Sequence, residues 1–126
     1  HPMVAFRDPM GFQITRQVWV KTKCDGAQLA RSFLKRLNIK VDEDPVALLK
    51  NRFNVRLRSS QFFIMPSFNE FLGGQPINRR SIGKDARSRQ FIGPVLRSGS
   101  VDIDSAETYL LDGTFLGTVN QLRGLN

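Results

Sequence analysis

The residues best suited to chemistry lie in one stretch, Asn78-Arg79-Arg80-Ser81-Ile82-Gly83-Lys84-Asp85-Ala86-Arg87-Ser88-Arg89, which holds five cations against one acid. A guanidinium fork donates two parallel hydrogen bonds to an oxyanion, so Arg79, Arg80, Arg87 and Arg89, with Lys84, point to phosphate. The Gly and Ser between them let a backbone approach a sugar–phosphate chain closely. This is the composition of a nucleic-acid-binding loop that orders on contact. A loop made basic only for solubility has no reason to prefer Arg to Lys four to one.

Other cations extend the same chemistry. Arg31 and Lys35 stand at i,i+4 and share a helix face. Arg56 and Arg58 alternate with Val55 and Leu57, so both leave one side of an extended chain. Of the aromatics, the ten Phe are expected mainly as core filler, including the cluster Phe62, Phe63, Phe68 and Phe71. Trp19 and Tyr109 have polar tips that suit half-exposed positions, where unpaired bases stack. Trp19 is expected opposite the apolar side of its strand, beside Lys21 and Lys23.

Several chemistries fall away on composition. Cys24 is the only cysteine, so no intrachain disulfide forms, and with His1 the only histidine there are too few soft ligands for a zinc site. A catalytic triad or a Cys-His pair needs a histidine beside its nucleophile, and the one histidine is the first residue. Asp102, Asp104 and Glu107 could hold a hard cation, which leaves a metal-dependent nuclease as a third possibility; they equally suit the wet face of a strand. Asp42-Glu43-Asp44 reads as a turn ending in a helix cap. There is no phosphate-binding Gly-Lys-Ser/Thr loop, dinucleotide fingerprint, RNA-recognition octamer or Gly-x-x-Gly clamp. No catalytic residue, cofactor or metal-ligand set is expected.

The chain has 126 residues with 19 Lys+Arg against 11 Asp+Glu, a net charge of +8. Its length fits one domain, and 40% apolar residues with 10 Gly suit a globular core. We therefore expect a single soluble basic α+β domain over 1–126, with a long flexible loop at 73–94. The charge is uneven: residues 1–97 carry 18 cations and 7 acids, residues 98–126 carry 1 and 4. The longest uncharged run, Ser59 to Asn69, is eleven residues, too short for a membrane-spanning helix. The chain opens His-Pro-Met, as a fragment or a processed chain does, so the lack of a signal peptide says little about compartment.

These side chains need elements to carry them. Residues 12–23 read as a strand with Phe12, Ile14, Val18, Val20 and Thr22 on one face; Arg16 interrupts that face and marks a bulge or a strand end nearby. Asp25 and Gln28 have capping-box spacing before Leu29, Phe33, Leu34 and Leu37, predicting a helix over 26–37 stopped by Asn38. Ile39 to Val41 reads as extended. Asp44-Pro45 then opens a second helix over 45–53. Strands follow at 54–58 and 61–65, and Ser67 with Glu70 opens a further helical turn stopped by Gly73-Gly74. Val101 to Asp104 alternates, and Asp112-Gly113 between Thr108–Leu111 and Thr114–Val119 predicts a C-terminal β-hairpin. A helix over 105–111 capped by Asp104 competes with it. The expected fold is α+β: two helices in the first half packed on an antiparallel sheet drawn from both halves.

Two functions of different class follow. The first is a non-enzymatic nucleic-acid-binding domain, favouring RNA or single strands, with Arg79, Arg80, Lys84, Arg87 and Arg89 on phosphate, supported by Arg31, Lys35, Arg56, Arg58 and Trp19. The second is a structural or assembly protein, of viral or secretion type, whose basic loop docks an acidic partner or lies at a subunit interface, the basic body pairing head-to-tail with the acidic segment 98–126 of another copy.

Overall fold

The first strand begins at the second residue, where the sequence offers no alternating pattern. The computed structural model describes residues 1–79 and 93–125. In it β1 (Pro2–Arg7) lies at the centre of a three-stranded sheet, antiparallel to β2 (Gln13–Gln17) and parallel to β5 (Gln75–Pro76). Val4 and Ala5 of β1 are fully buried. A second sheet has the order β4 (Ser60–Ile64), β3 (Trp19–Cys24), β6 (Glu107–Tyr109), β7 (Phe115–Thr118), with β3–β6 and β6–β7 antiparallel. With helices α1 (Gly26–Arg36), α2 (Pro45–Phe53), α3 (Pro94–Arg97) and α4 (Val119–Arg123), the fold is α+β, as expected.

The expected strand over 12–23 is two strands in different sheets, broken at Val18. Arg16 marks the break: Val18, Val20 and Thr22 are buried beyond it, while Phe12 and Ile14 before it are exposed. The alternating pattern runs through the break in sequence but not in space.

Helix α1 ends close to its expected boundary. Asp25 accepts from the backbone N–H groups of Ala27 and Gln28 (3.0 and 3.3 Å), and Asn38 takes the left-handed conformation at φ 57°. Helix α2 keeps its predicted limits, with Asp44 accepting from Val46 N–H at 3.2 Å and Asn54 left-handed at φ 53°. Ala30, Leu34, Leu48 and Leu49 form one buried cluster, with Ile39, Val41, Val46 and Leu57 packed on it.

The C-terminal hairpin is present. Leu110 N–H donates to Thr114 O and Gly113 N–H to Leu110 O, both at 2.9 Å. Asp112 accepts from Thr114 N–H, also at 2.9 Å, and this bond holds its carboxyl below the ordinary aspartate value. Elsewhere local signals yield to packing. Residues 54–58 form no ladder, and Ser67 and Asn69 cap tight turns instead of starting a helix. The alternation at 101–104 gives only a bridge between Val101 and Cys24. Helix α4, capped reciprocally by Thr118 and Gln121, was not expected.

The chain divides into two compact units, one from His1–Thr22, Phe63–Ile82 and Ile103–Asn126, the other from Lys23–Phe62 and Gly83–Asp102. No helix among the described residues is long and apolar enough to cross a membrane.

Candidate nucleic-acid interface

Charge also divides with the units. The described residues of the first unit hold five Lys+Arg and five Asp+Glu; those of the second hold ten against five. All ten described cations of the second unit are exposed. Two of its five acids, Asp25 and Asp44, are spent on helix caps.

Four expected site residues, Arg31, Lys35, Arg56 and Arg58, belong to this basic unit. Arg31 and Lys35 lie one turn apart on α1, both exposed. Arg56 and Arg58 are exposed, with Leu57 between them turned to the buried cluster; Val55, expected on Leu57's side, is exposed, and the segment forms no strand. The segment is fixed against the start of α1. Gly26 N–H donates to Ser59 Oγ at 3.0 Å, and a Cβ on Gly26 would come within 2.7 Å of the Arg58 carbonyl carbon.

Arg79 is exposed in the neutral unit. Arg80, Lys84, Arg87 and Arg89 lie outside the described residues. Asn78, which opens the Arg-rich stretch, is a buried structural residue: its carboxamide bonds Ala5 N–H, Ala5 O and Leu122 O. The start of the expected loop is likewise anchored, because Gln75 and Ile77 N–H groups donate to His1 and Met3 carbonyls.

The neutral unit carries Trp19 and Tyr109, the two residues expected to stack. On β3 the residues Val18, Val20 and Thr22 turn inward, leaving Trp19 half-buried on the other face. Trp19 is directly opposite Tyr109, and Lys21 opposite Glu107, so the four side chains share one sheet face. Lys21 Nζ approaches Glu107 Oε2 at 3.7 Å, and Tyr109 donates to the same oxygen at 2.6 Å.

A β-bulge adds a third aromatic. Between β6 and β7 the pairing steps from Thr108↔Gly117 to Tyr109↔Phe115, leaving Leu116 as the extra residue. The step brings Phe115 opposite Tyr109, with ring centroids 5.3 Å apart, and leaves Phe115 56% exposed. Trp19, Tyr109 and Phe115 thus form an aromatic row across three strands, bordered by the Lys21–Glu107 pair. Sequence reasoning found the first two. Phe115 was missed because its place in the row depends on the bulge, for which Gly117 was the one available signal.

The hydrogen bond to Glu107, then burial and the negative charge, raise the Tyr109 phenol above its ordinary value of 10.0. Since Tyr109 is the only tyrosine, a near-ultraviolet titration should show one transition, displaced upward. Glu107→Gln should move that midpoint back down by removing the carboxylate charge. An unchanged midpoint in the variant would mean that Glu107 is not the cause.

The acids considered for a cation are engaged elsewhere. Asp104 pairs with Arg123 at 2.6 Å, and Glu107 is held as described. Among the described residues no group of three His, Cys, Asp or Glu could hold a metal ion. The expectation that Phe fills the core is corrected: Phe12, Phe33, Phe53, Phe63, Phe68, Phe71 and Phe115 are all exposed. Phe68 and Phe71, at 93% and 97%, project from the turns that Ser67 and Asn69 cap. The buried positions go instead to Val, Leu, Ala and Ile. The chain matches no family model, and no curated protein or solved structure is significantly similar to it.

Proposed function

We propose that this chain binds single-stranded nucleic acid, RNA or unpaired DNA, and is not an enzyme. Unpaired bases stack on the Trp19–Tyr109–Phe115 row. Phosphates meet the exposed cations of the basic unit, Arg31, Lys35, Arg56 and Arg58 among them, together with Arg79 and its neighbours Arg80, Lys84, Arg87 and Arg89. The observation that carries this reading is the aromatic row on one sheet face. Stacking on such a platform contributes about 1–3 kcal/mol per base and needs a base face that a duplex covers.

The lone Trp19 is the reporter. Titration with a short oligouridylate should quench its fluorescence to saturation, and log affinity should fall with log salt by about 0.7 for each phosphate neutralised. Phe115→Ser, at an exposed site, should weaken binding by about tenfold while leaving the salt slope alone. The Arg31→Gln, Lys35→Gln double variant should reduce the slope itself. Unquenched fluorescence, or an affinity flat in salt, overturns the reading. A stable oligomer free of nucleic acid, seen by light scattering, would favour the assembly role in its place.

A further inference from the structure

A sheet accepts another strand only at an edge, where backbone N–H and C=O groups are left over. In the neutral unit two edges are guarded. β5 is two residues long and ends in Pro76, which has no N–H to offer. β7 carries the bulge at Leu116 and runs directly into α4. β2 has neither device. It pairs with β1 in an unbroken register over all five residues, contains no Gly or Pro, and is exposed except at half-buried Gln17.

Two bonds flanking β2 fix which of its backbone groups are left over. Asp8 N–H donates to Phe12 O at 3.0 Å, and Val18 N–H to Pro2 O at 3.3 Å. Antiparallel ladders alternate, so Ile14 and Arg16 also bond β1, while the N–H and C=O of Gln13, Thr15 and Gln17 point away from it. They point to an edge that no other described strand covers. A recess of about 580 Å³ is lined by Thr15, Arg16 and Gln17, with Glu70, Leu111 and Asp112 among its other residues. Consecutive strand residues face opposite sides, so space that all three line opens on the edge itself. Its two carboxylates stand against one guanidinium, which suits an incoming strand that brings a cation and no acid. β2 is such a strand.

We propose that β2 pairs edge to edge with β2 of a second copy, antiparallel about a two-fold axis through Thr15. The strand is complementary to itself in that register. Thr15 stands opposite Thr15 and Gln13 opposite Gln17, and each such pair exchanges both its N–H···O bonds, since these are the residues whose groups point outward. Ile14, 40% exposed, stands opposite Arg16 and is covered by its aliphatic stem, so no like charges meet directly. An axis through Arg16 would set two guanidiniums opposite each other. An axis between Thr15 and Arg16 would set outward groups against inward ones. A five-residue edge buries less than the roughly 1,200–2,000 Å² of a stable interface, so the dimer is reversible. It is thus distinct from the stable oligomer of an assembly role. It also uses a different sheet from the aromatic row and does not require the stacking reading.

The test uses the full chain at rising concentration. Sedimentation should show the mass climb from 14.3 kDa toward twice that value, with half the chains paired at about 0.1–1 mM. Over the same range the amides of Gln13, Thr15 and Gln17 should gain protection from hydrogen exchange, while those of Ile14 and Arg16 are protected throughout. Thr15→Pro removes an N–H that serves only the outer edge, so it should abolish pairing and melt close to the parent. Arg16→Pro removes a bond to β1 and should melt much lower. Thr15→Lys leaves the backbone intact, sets like charges opposite each other and should weaken pairing by about tenfold or more, which decides the matter even if Thr15→Pro does not fold. A chain still monomeric at about 1 mM, a dimer untouched by Thr15→Lys, or protection that grows with concentration but misses Thr15 overturns the pairing.

Discussion

Asn78→Ala is expected to destabilise the protein by about 3 kcal/mol, seen as a fall of about 10 °C in Tm. The parallel pairing of β1 with the 75–77 segment proceeds by alternate residues: Gln75 N–H to His1 O, then Ile77 N–H to Met3 O, both at 2.9 Å. The next rung belongs to Ala5, and among the described residues no backbone group of the 75–79 segment meets it there. The Asn78 carboxamide takes that place, its Oδ1 accepting from Ala5 N–H at 2.9 Å and its Nδ2 donating to Ala5 O at 2.8 Å. The second Nδ2 hydrogen reaches Leu122 O at 3.1 Å, a carbonyl in the last turn of α4 that also accepts from Leu125 N–H at 3.1 Å. One buried side chain thus completes a sheet edge and ties it to a helix end. Alanine leaves the Ala5 donor and acceptor buried without this partner, each costing about 1–3 kcal/mol before relaxation.

Asn78→Asp separates hydrogen bonding from shape. The carboxylate can still accept from Ala5 N–H but faces two carbonyl oxygens. Burial and those oxygens raise the aspartate pKa in the folded state above its unfolded value. Folding of this variant is then favoured at low pH, where both states are protonated. It is lost progressively as pH rises through the unfolded pKa toward the folded one. Melts of parent and variant should therefore diverge with increasing pH. A constant difference across the acid range would show that the Asn78 side chain is not held as described.

The parts of this fold that the sequence states openly are those fixed within about four residues. Asp25, Asn38, Asp44 and Pro45 bound α1 and α2 because a cap is a local bond between neighbours. Asp112-Gly113 marks its hairpin for the same reason. What the sequence conceals is pairing at a distance. β1 is central to its sheet because Gln13–Gln17 lie against one edge and residues near 75 against the other, and nothing in Pro2–Arg7 says so. The break at Val18 is signalled only by Arg16, because Ile14, Val18 and Val20 keep step in sequence while passing from one sheet to the other. The candidate site divides the same way. Trp19 was legible from alternation alone, as were the exposed cations of α1. Asn78 looked like the start of a basic loop, since a polar residue shows its burial only through its partners. The charge excess assigned to residues 1–97 belongs, among the described residues, to the Lys23–Phe62 unit and its companion segment, a division that needs the fold to draw it.

Gly117→Ala is expected to damage the aromatic row more specifically than any substitution within it. Gly117 has φ +128°, a conformation that side-chain-bearing residues rarely adopt, and an added Cβ would stand 3.0 Å from Gln121 Oε1. That oxygen accepts from Thr118 N–H at 2.9 Å in the capping box that starts α4. Strain of about 1–3 kcal/mol adds to a weakened cap worth about 1 kcal/mol. The chain has one escape, which is to straighten the bulge. Leu116 then falls opposite Tyr109, and Phe115 turns to the other face of the sheet. Either way Phe115 leaves Tyr109, and the stacking platform loses a third of its length. The variant should melt well below the parent and, at temperatures where it is folded, bind oligouridylate about tenfold more weakly. Thr108→Val is the control: it removes the 2.8 Å bond from the Thr108 hydroxyl to Gly117 O without forcing the backbone. That variant should lose stability and keep most of its affinity. If Gly117→Ala melts like the parent, the bulge is not held by this glycine. If it melts lower but binds unchanged, Phe115 is no part of the binding surface.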